Sequence, residues 1–242
     1  MHVSRGTIVL PFAAALVAAA SIAGIAHAKA RAPAYSVVMS GLDNPRGLAF
    51  AQDGSLYVAE AGKGGNLRCV TLRGTVCVGL TGAISRYRHG RQERVVEGLP
   101  SYAPFNGANA GAVGPSDVSF SEGRGYVSIG LAANPDLRTA LGEKFGWIAQ
   151  FDDHGSVAYE VDVSAYEKQA NPDRGPIESN PYGLVAGAGP RIVADAAGNS
   201  LLQVSSAGAI STLAVFPSRF YPHAGSRVTD SVPNAVAMGR DG

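Results

Sequence analysis

Cysteine is nearly absent: Cys69 and Cys77 are the only two in the chain. Two thiols with no histidine beside them fall short of a four-ligand zinc site. The histidines are few and scattered. His89 and His154 each precede a glycine in a turn, His223 lies in "FYPHAGS", and no H-x-x-x-H spacing occurs. Serines are plentiful, yet no G-x-S-x-G elbow is present, and "GKGG" (62–65) lacks the ending of a phosphate loop. An excess of one charge is missing too, with 20 Lys and Arg against 19 Asp and Glu. A neutral chain with interspersed charges carries no footprint for nucleic acid or an anionic membrane. Beyond residue 28 there is no apolar run long enough to span a bilayer.

What is present begins with an apolar, Ala-rich stretch over residues 8–25. One cation, Arg5, precedes it and Ala26-His27-Ala28 follows. That order matches a secretory signal peptide, residues 1–28, cut after Ala28; an uncleaved anchor is the competing reading. Cleavage implies secretion or exposure at the cell envelope, with no membrane contact afterwards. Residues 29–36 read as a linker and the start of a strand, and residues 37–242 as one domain with a large core.

Glycine and proline are abundant at 31 and 14 residues, and they punctuate a repeat. "NPRGLAFAQDGSLYVAEAG" from Asn44 is echoed by "NPYGLVAGAGPRIVADAAG" from Asn180, and more faintly by "GPSDVSFSEGRGYVSIG" from Gly114. Each reads as a strand opened by proline, a glycine turn and a second strand. Pro45, Pro115 and Pro181 suit a strand start, where no ladder donor is lost, and Asp-Gly or Gly-rich turns supply positive φ. A second hairpin follows each time: Gly82–Leu99 and Gly146–Val163 around His-Gly, and Ser200–Phe216 around Ala-Gly. Four short antiparallel strands recurring in one order predict a β-propeller rather than a β-sandwich. A fourth unit begins at Pro233 with "NAVAMGRDG", and "YSVVMSGL" (35–42) resembles an outer strand. The expectation is an incomplete arc, the N-terminal part of a longer propeller: three full blades, a lone outer strand and one inner strand.

Cys69 and Cys77 lie symmetrically about Arg73 in "LRCVTLRGTVCVGL", so a hairpin would set them opposite each other. In an exported chain the expectation is a disulfide worth about 2.5 kcal/mol through loop closure. Two long connections, Pro100–Pro115 and Tyr166–Leu184, join outer to inner strands on one face, where propellers bind ligands. Arg46, Asn180 and Tyr182 are the residues expected beside that face. Plain inter-blade linker is the alternative.

The motifs "GLDNPRGLAFAQDGSLYVAEAGKGGN", "GLTGAISRY", "VVEGLPS", "GPSDVSF", "NPDRGPIESNPYGL", "ADAAGNSLLQV" and "STLAVFP" together resemble the ScyD/ScyE family, from about Val37 to Gly242. The resemblance implies an exported, NHL-like propeller associated with scytonemin biosynthesis, and it names no reaction. Glu60 and Asp195 end the second strand of two repeats. Lactonase-like propellers hold a divalent cation with acids near the central channel, so a calcium- or zinc-dependent hydrolase using Glu60 and Asp195 is the alternative function. The plainer reading has these carboxylates accepting backbone N–H groups of adjacent loops. The expectation is therefore a non-catalytic propeller that needs no cofactor and binds a small molecule or a protein through its loop face.

Overall fold

The computed structural model describes residues 35–105, 111–221 and 227–239. The signal-peptide reading, most of the 29–36 linker and His223 lie outside them. The chain divides into Met1–Ser36, of which two residues are described, and Val37–Gly242, which carries every strand named below.

Strands β1 (Pro45–Phe50), β2 (Leu56–Glu60), β3 (Arg68–Thr71), β4 (Thr75–Arg88) and β5 (Arg91–Pro104) form the first sheet. Its main path is β1-β2-β4-β5, with β3 also paired to β4. The second sheet is β6 (Pro115–Ser121), β7 (Arg124–Ile129), β8 (Trp147–Phe151) and β9 (Val157–Asp162), paired in sequence order. The third is β10 (Pro181–Val185), β11 (Arg191–Asp195), β12 (Ser200–Val204) and β13 (Ile210–Val215), again in order. All neighbours run antiparallel. These are three blades of a β-propeller, with β1, β6 and β10 as inner strands.

The repeat seen in the sequence is a repeat in space. Pro45 pairs with Glu60, Pro115 with Ile129 and Pro181 with Asp195, and each pairing is followed by a register shift. The same hydrogen bond closes each unit: Ala61 N–H donates to Asn44 O, Gly130 N–H to Gly114 O and Ala196 N–H to Asn180 O, at 2.9–3.0 Å. The His89-Gly90 turn has positive φ at both positions, as a two-residue hairpin requires.

Each blade has two faces, so a middle blade must be apolar on both. Val127 and Ile129 of β7 pack with Tyr57, Ile84 and Val118 toward the first blade. Tyr126 and Ile148 pack with Leu184, Val193 and Leu202 toward the third. That double burial explains why β7 reads as a continuous "YVSI" instead of alternating.

The flanking strands depart from expectation. Residues 37–42 form no strand; Ser40 N–H instead donates to the Gln92 side chain at 2.9 Å, and Gln92 Nε2 returns a bond to Ser40 O. Each described blade already has its own outer strand, so this segment has no ladder to complete. Residues 230–239 likewise form no strand, although Ala235 runs close beside Gly183 of β10. Three further elements were not legible in the sequence: a helical turn through α1 (Arg138–Leu141), helix α2 (Val163–Ala170), and a small hairpin of β14 (Arg219–Tyr221) with β15 (Arg227–Thr229).

Candidate ligand cleft on the loop face

The β3–β4 hairpin projects beyond the first blade. Cys69 and Cys77 pair directly across its ladder and form the disulfide expected from their spacing. The hairpin is held from below by backbone packed on backbone. A Cβ on Gly79 would meet Gly64 O at 2.3 Å, and one on Gly64 would meet Cys77 O at 2.4 Å. The "GKGG" stretch is therefore a contact surface for β4 and β5, which only glycine permits.

Between this hairpin and the connections of the second and third blades lies a cleft of about 830 Å³. Its walls are Leu72, Val76, Tyr102, Phe105, Ala133 and Leu137, with Thr71, Thr75, Asn134, Arg73 and Glu178 as polar groups. Tyr102 is buried, and its hydroxyl donates to Leu131 O at 2.6 Å; burial pushes its phenol pKa up. Phe105 is 72% exposed at the rim. Arg73 at the hairpin tip reaches Glu178 at 3.2 Å, tying the hairpin to the connection before β10. Ser179 N–H donates to Ala133 O at 3.1 Å, and Ala132 holds a left-handed φ of 51°. A non-glycine residue in that region stores strain. The first of the two long segments singled out in the sequence is strand β5 as far as Pro104, because it pairs with the extended β4; both segments contribute to one cleft, through Tyr102 and Phe105 on one side and Glu178 on the other.

No protein-family model matches the chain, and no curated protein does. Similar solved structures include a nidogen/laminin complex, 13% identical over 80% of this chain and 54% of that one, with a TM-score of 0.43. Regucalcin from Agrobacterium tumefaciens is 12% identical over 70% of this chain and 44% of its own, with a TM-score of 0.39. A putative glucose dehydrogenase from Thermus thermophilus is 17% identical over 84% and 90%, with a TM-score of 0.35. The chain spans about half the length of the first two. At these similarities the propeller assignment stands on the chain's own strand pairings.

The five residues singled out for binding do not line the cleft. Arg46 is half-buried on β1 and donates to Ala112 O at 3.0 Å, pinning the connection before β6. The Asn180 side chain accepts from Leu131 N–H at 3.2 Å. Tyr182 lies in β10, its carbonyl accepting from Ser128 Oγ at 2.6 Å. Arg46 and Asn180 brace the loops around the cleft rather than face into it. Cleft residues such as Phe105 and Leu72 were missed; an aromatic residue inside a long Gly- and Pro-rich connection was the signal that could have pointed to Phe105.

Glu60 and Asp195 are both fully buried. Glu60 accepts from Ser85 Oγ at 2.6 Å, Asp43 N–H at 2.6 Å and the Arg94 guanidinium at 2.7 and 3.1 Å. Burial works to raise its pKa, but Arg94, the Asp43 N–H and Ser85 outweigh it and hold the carboxyl below its ordinary range. Asp195 accepts from Asn180 N–H, Gly198 N–H and Ser179 Oγ at 2.7–3.0 Å. Burial dominates there and raises its pKa despite those donors. Beside it Glu167 of α2 is also buried; burial first, then Asp195 and Asp173, pushes it up to about 8. Among the described residues no three His, Cys, Asp or Glu side chains are grouped to hold a metal. Both acids thus accept the loop N–H groups that the plainer reading expected.

Proposed function

We propose that this chain is an exported β-propeller, similar to the ScyD/ScyE family, that binds a small, largely apolar or aromatic molecule in the cleft beneath the disulfide hairpin. The observation that carries the proposal is the cleft itself, walled by Leu72, Val76, Tyr102 and Phe105 with the Arg73–Glu178 pair at its edge. About 830 Å³ falls in the usual range for small-molecule sites, which combine apolar walls with a few placed polar groups. Apolar walls would supply the driving force, while Asn134, Thr75 and the ion pair would orient polar ends of the ligand. Export is supported by the signal-like leader and by the disulfide, which persists in oxidising compartments. The described lining combines apolar walls with a few polar groups, and the function proposed is binding. Saturation-transfer NMR with a panel of bicyclic aromatic fragments tests it. Aromatic fragments bind the native protein, and Phe105→Ala with Leu72→Ala weakens them at least about tenfold, the loss expected for truncating two apolar contacts. Unchanged binding in that double variant would refute the assignment.

A further inference from the structure

The third blade buries carboxyl groups that no basic side chain among the described residues accompanies. In the first blade, Glu60 is compensated by Arg94 at 2.7 Å. In the third, the matching acid Asp195 meets a second carboxyl instead, from Glu167 of α2. No lysine or arginine among the described residues pairs with Glu167, Asp173 or Asp195. The two carboxyl groups converge above the turn at Gly198. A Cβ placed there would lie 2.8 Å from Glu167 Oε2 and 3.2 Å from Asp195 Cγ, so this glycine leaves a small cradle between them. Two buried side-chain oxygens of this blade and its helix lack a hydrogen-bond partner among the described residues. Glu167, 1% exposed, has Oε1 unbonded. Ser200, fully buried, has Oγ unbonded, and it lies directly across the ladder from Asp195 on the same sheet face.

We propose that Glu167, Asp195 and Ser200 hold one calcium ion between α2 and the third blade. An all-oxygen donor set with two carboxylates suits a hard cation, whereas zinc sites draw on nitrogen or sulfur. Asp195 spends Oδ1 on the Asn180 and Gly198 N–H groups, and Oδ2 accepts from the Ser179 hydroxyl. Asp173, held by Asn199 Nδ2 at 2.9 Å, adds negative charge beside the site. With only two carboxylate ligands, affinity falls in the range of extracellular calcium modules, Kd about 0.1–1 mM. The ion would tie the connection that helps wall the cleft to the blade it precedes, so its role would be structural.

Equilibrium dialysis against about 1 mM CaCl2, the upper end of that range, followed by elemental analysis, tests the site on the full chain. The native protein retains about 0.5–0.9 calcium per chain, as that Kd range requires, and its thermal midpoint rises by about 1–5 °C over EDTA. Glu167→Gln retains none and loses the shift, while Glu97→Gln, at an exposed acid on β5, keeps both. Ser200→Ala removes a hydroxyl that has no hydrogen-bond partner among the described residues, so it leaves stability in EDTA unchanged and weakens calcium about tenfold. That variant keeps the test decisive if Glu167→Gln does not fold. Native protein without bound calcium, or full calcium binding in Ser200→Ala and Glu167→Gln, would overturn the proposal. Fragment binding at the cleft is read separately, so either site can fail without the other.

Discussion

At the residue scale, the buried acids show how one position in a repeat is satisfied in different ways. Glu60 is ionised because a guanidinium and an N–H reach it, and its folded pKa lies below the ordinary 4.5. The unfolded chain therefore takes the proton first as pH falls. The stabilisation is present above about pH 4.5 and is lost as pH drops through the folded value. Arg94→Ala leaves this carboxylate buried without its partner. Because Arg94 is one-third exposed, water would replace part of the interaction, and the expected cost is about 2–4 kcal/mol. Urea denaturation of the variant at neutral pH measures it. The Glu60→Gln protein should lose less stability than the native protein between pH 5 and pH 3, since the titrating group is gone. The roles of these acids as backbone acceptors were legible from position alone. The Arg94 partner was not, because it comes from β5, whose register against β4 carries several irregularities.

At the element scale, the β3–β4 hairpin is the feature most fully legible in advance. Symmetric spacing about Arg73 predicted the ladder that sets Cys69 against Cys77, and the structure has that pairing. What could not be read was the hairpin's position over the loop face, because that depends on Gly64, Gly65 and Gly79 meeting backbone to backbone. Replacing both cysteines with serine should cost about 2.5 kcal/mol by the loop-closure argument, measurable as a lower denaturation midpoint. The same variant should weaken fragment binding, since Leu72 and Val76 belong to the hairpin. Helix α2 escaped the sequence reading for a plain reason. It is one short amphipathic piece, started by Asp162 accepting from Ala165 N–H and ended at Asn171 in the left-handed region, inside a connection otherwise rich in Pro and Gly. Between blades, Ile129 is fully buried against the first blade. Ile129→Ala should cost about 2–5 kcal/mol, whereas exposed Phe50→Ala should change stability little.

At the scale of the whole molecule, the four-strand period is visible in both sequence and structure, since proline starts, glycine turns and apolar runs all obey local rules. The cleft obeys none of them. It arises where a hairpin from the first blade, a loop from the second and a connection into the third converge, and long-range convergence leaves no local pattern. The leader reading belongs to this scale as well. Protein expressed with its native N-terminus in an exporting host should be recovered beginning at Lys29, as intact-mass measurement would show; retention of residues 1–28 would favour the anchor reading.

Hydrogen–deuterium exchange with and without a bound aromatic fragment tests the ligand-binding account most directly. The account predicts slowed exchange at residues 71–76, 102–105, 131–137 and 178–179, with the turns at Gly54, Gly123 and Gly155 unchanged. Protection confined to those turns, or spread evenly over all three blades, would contradict it.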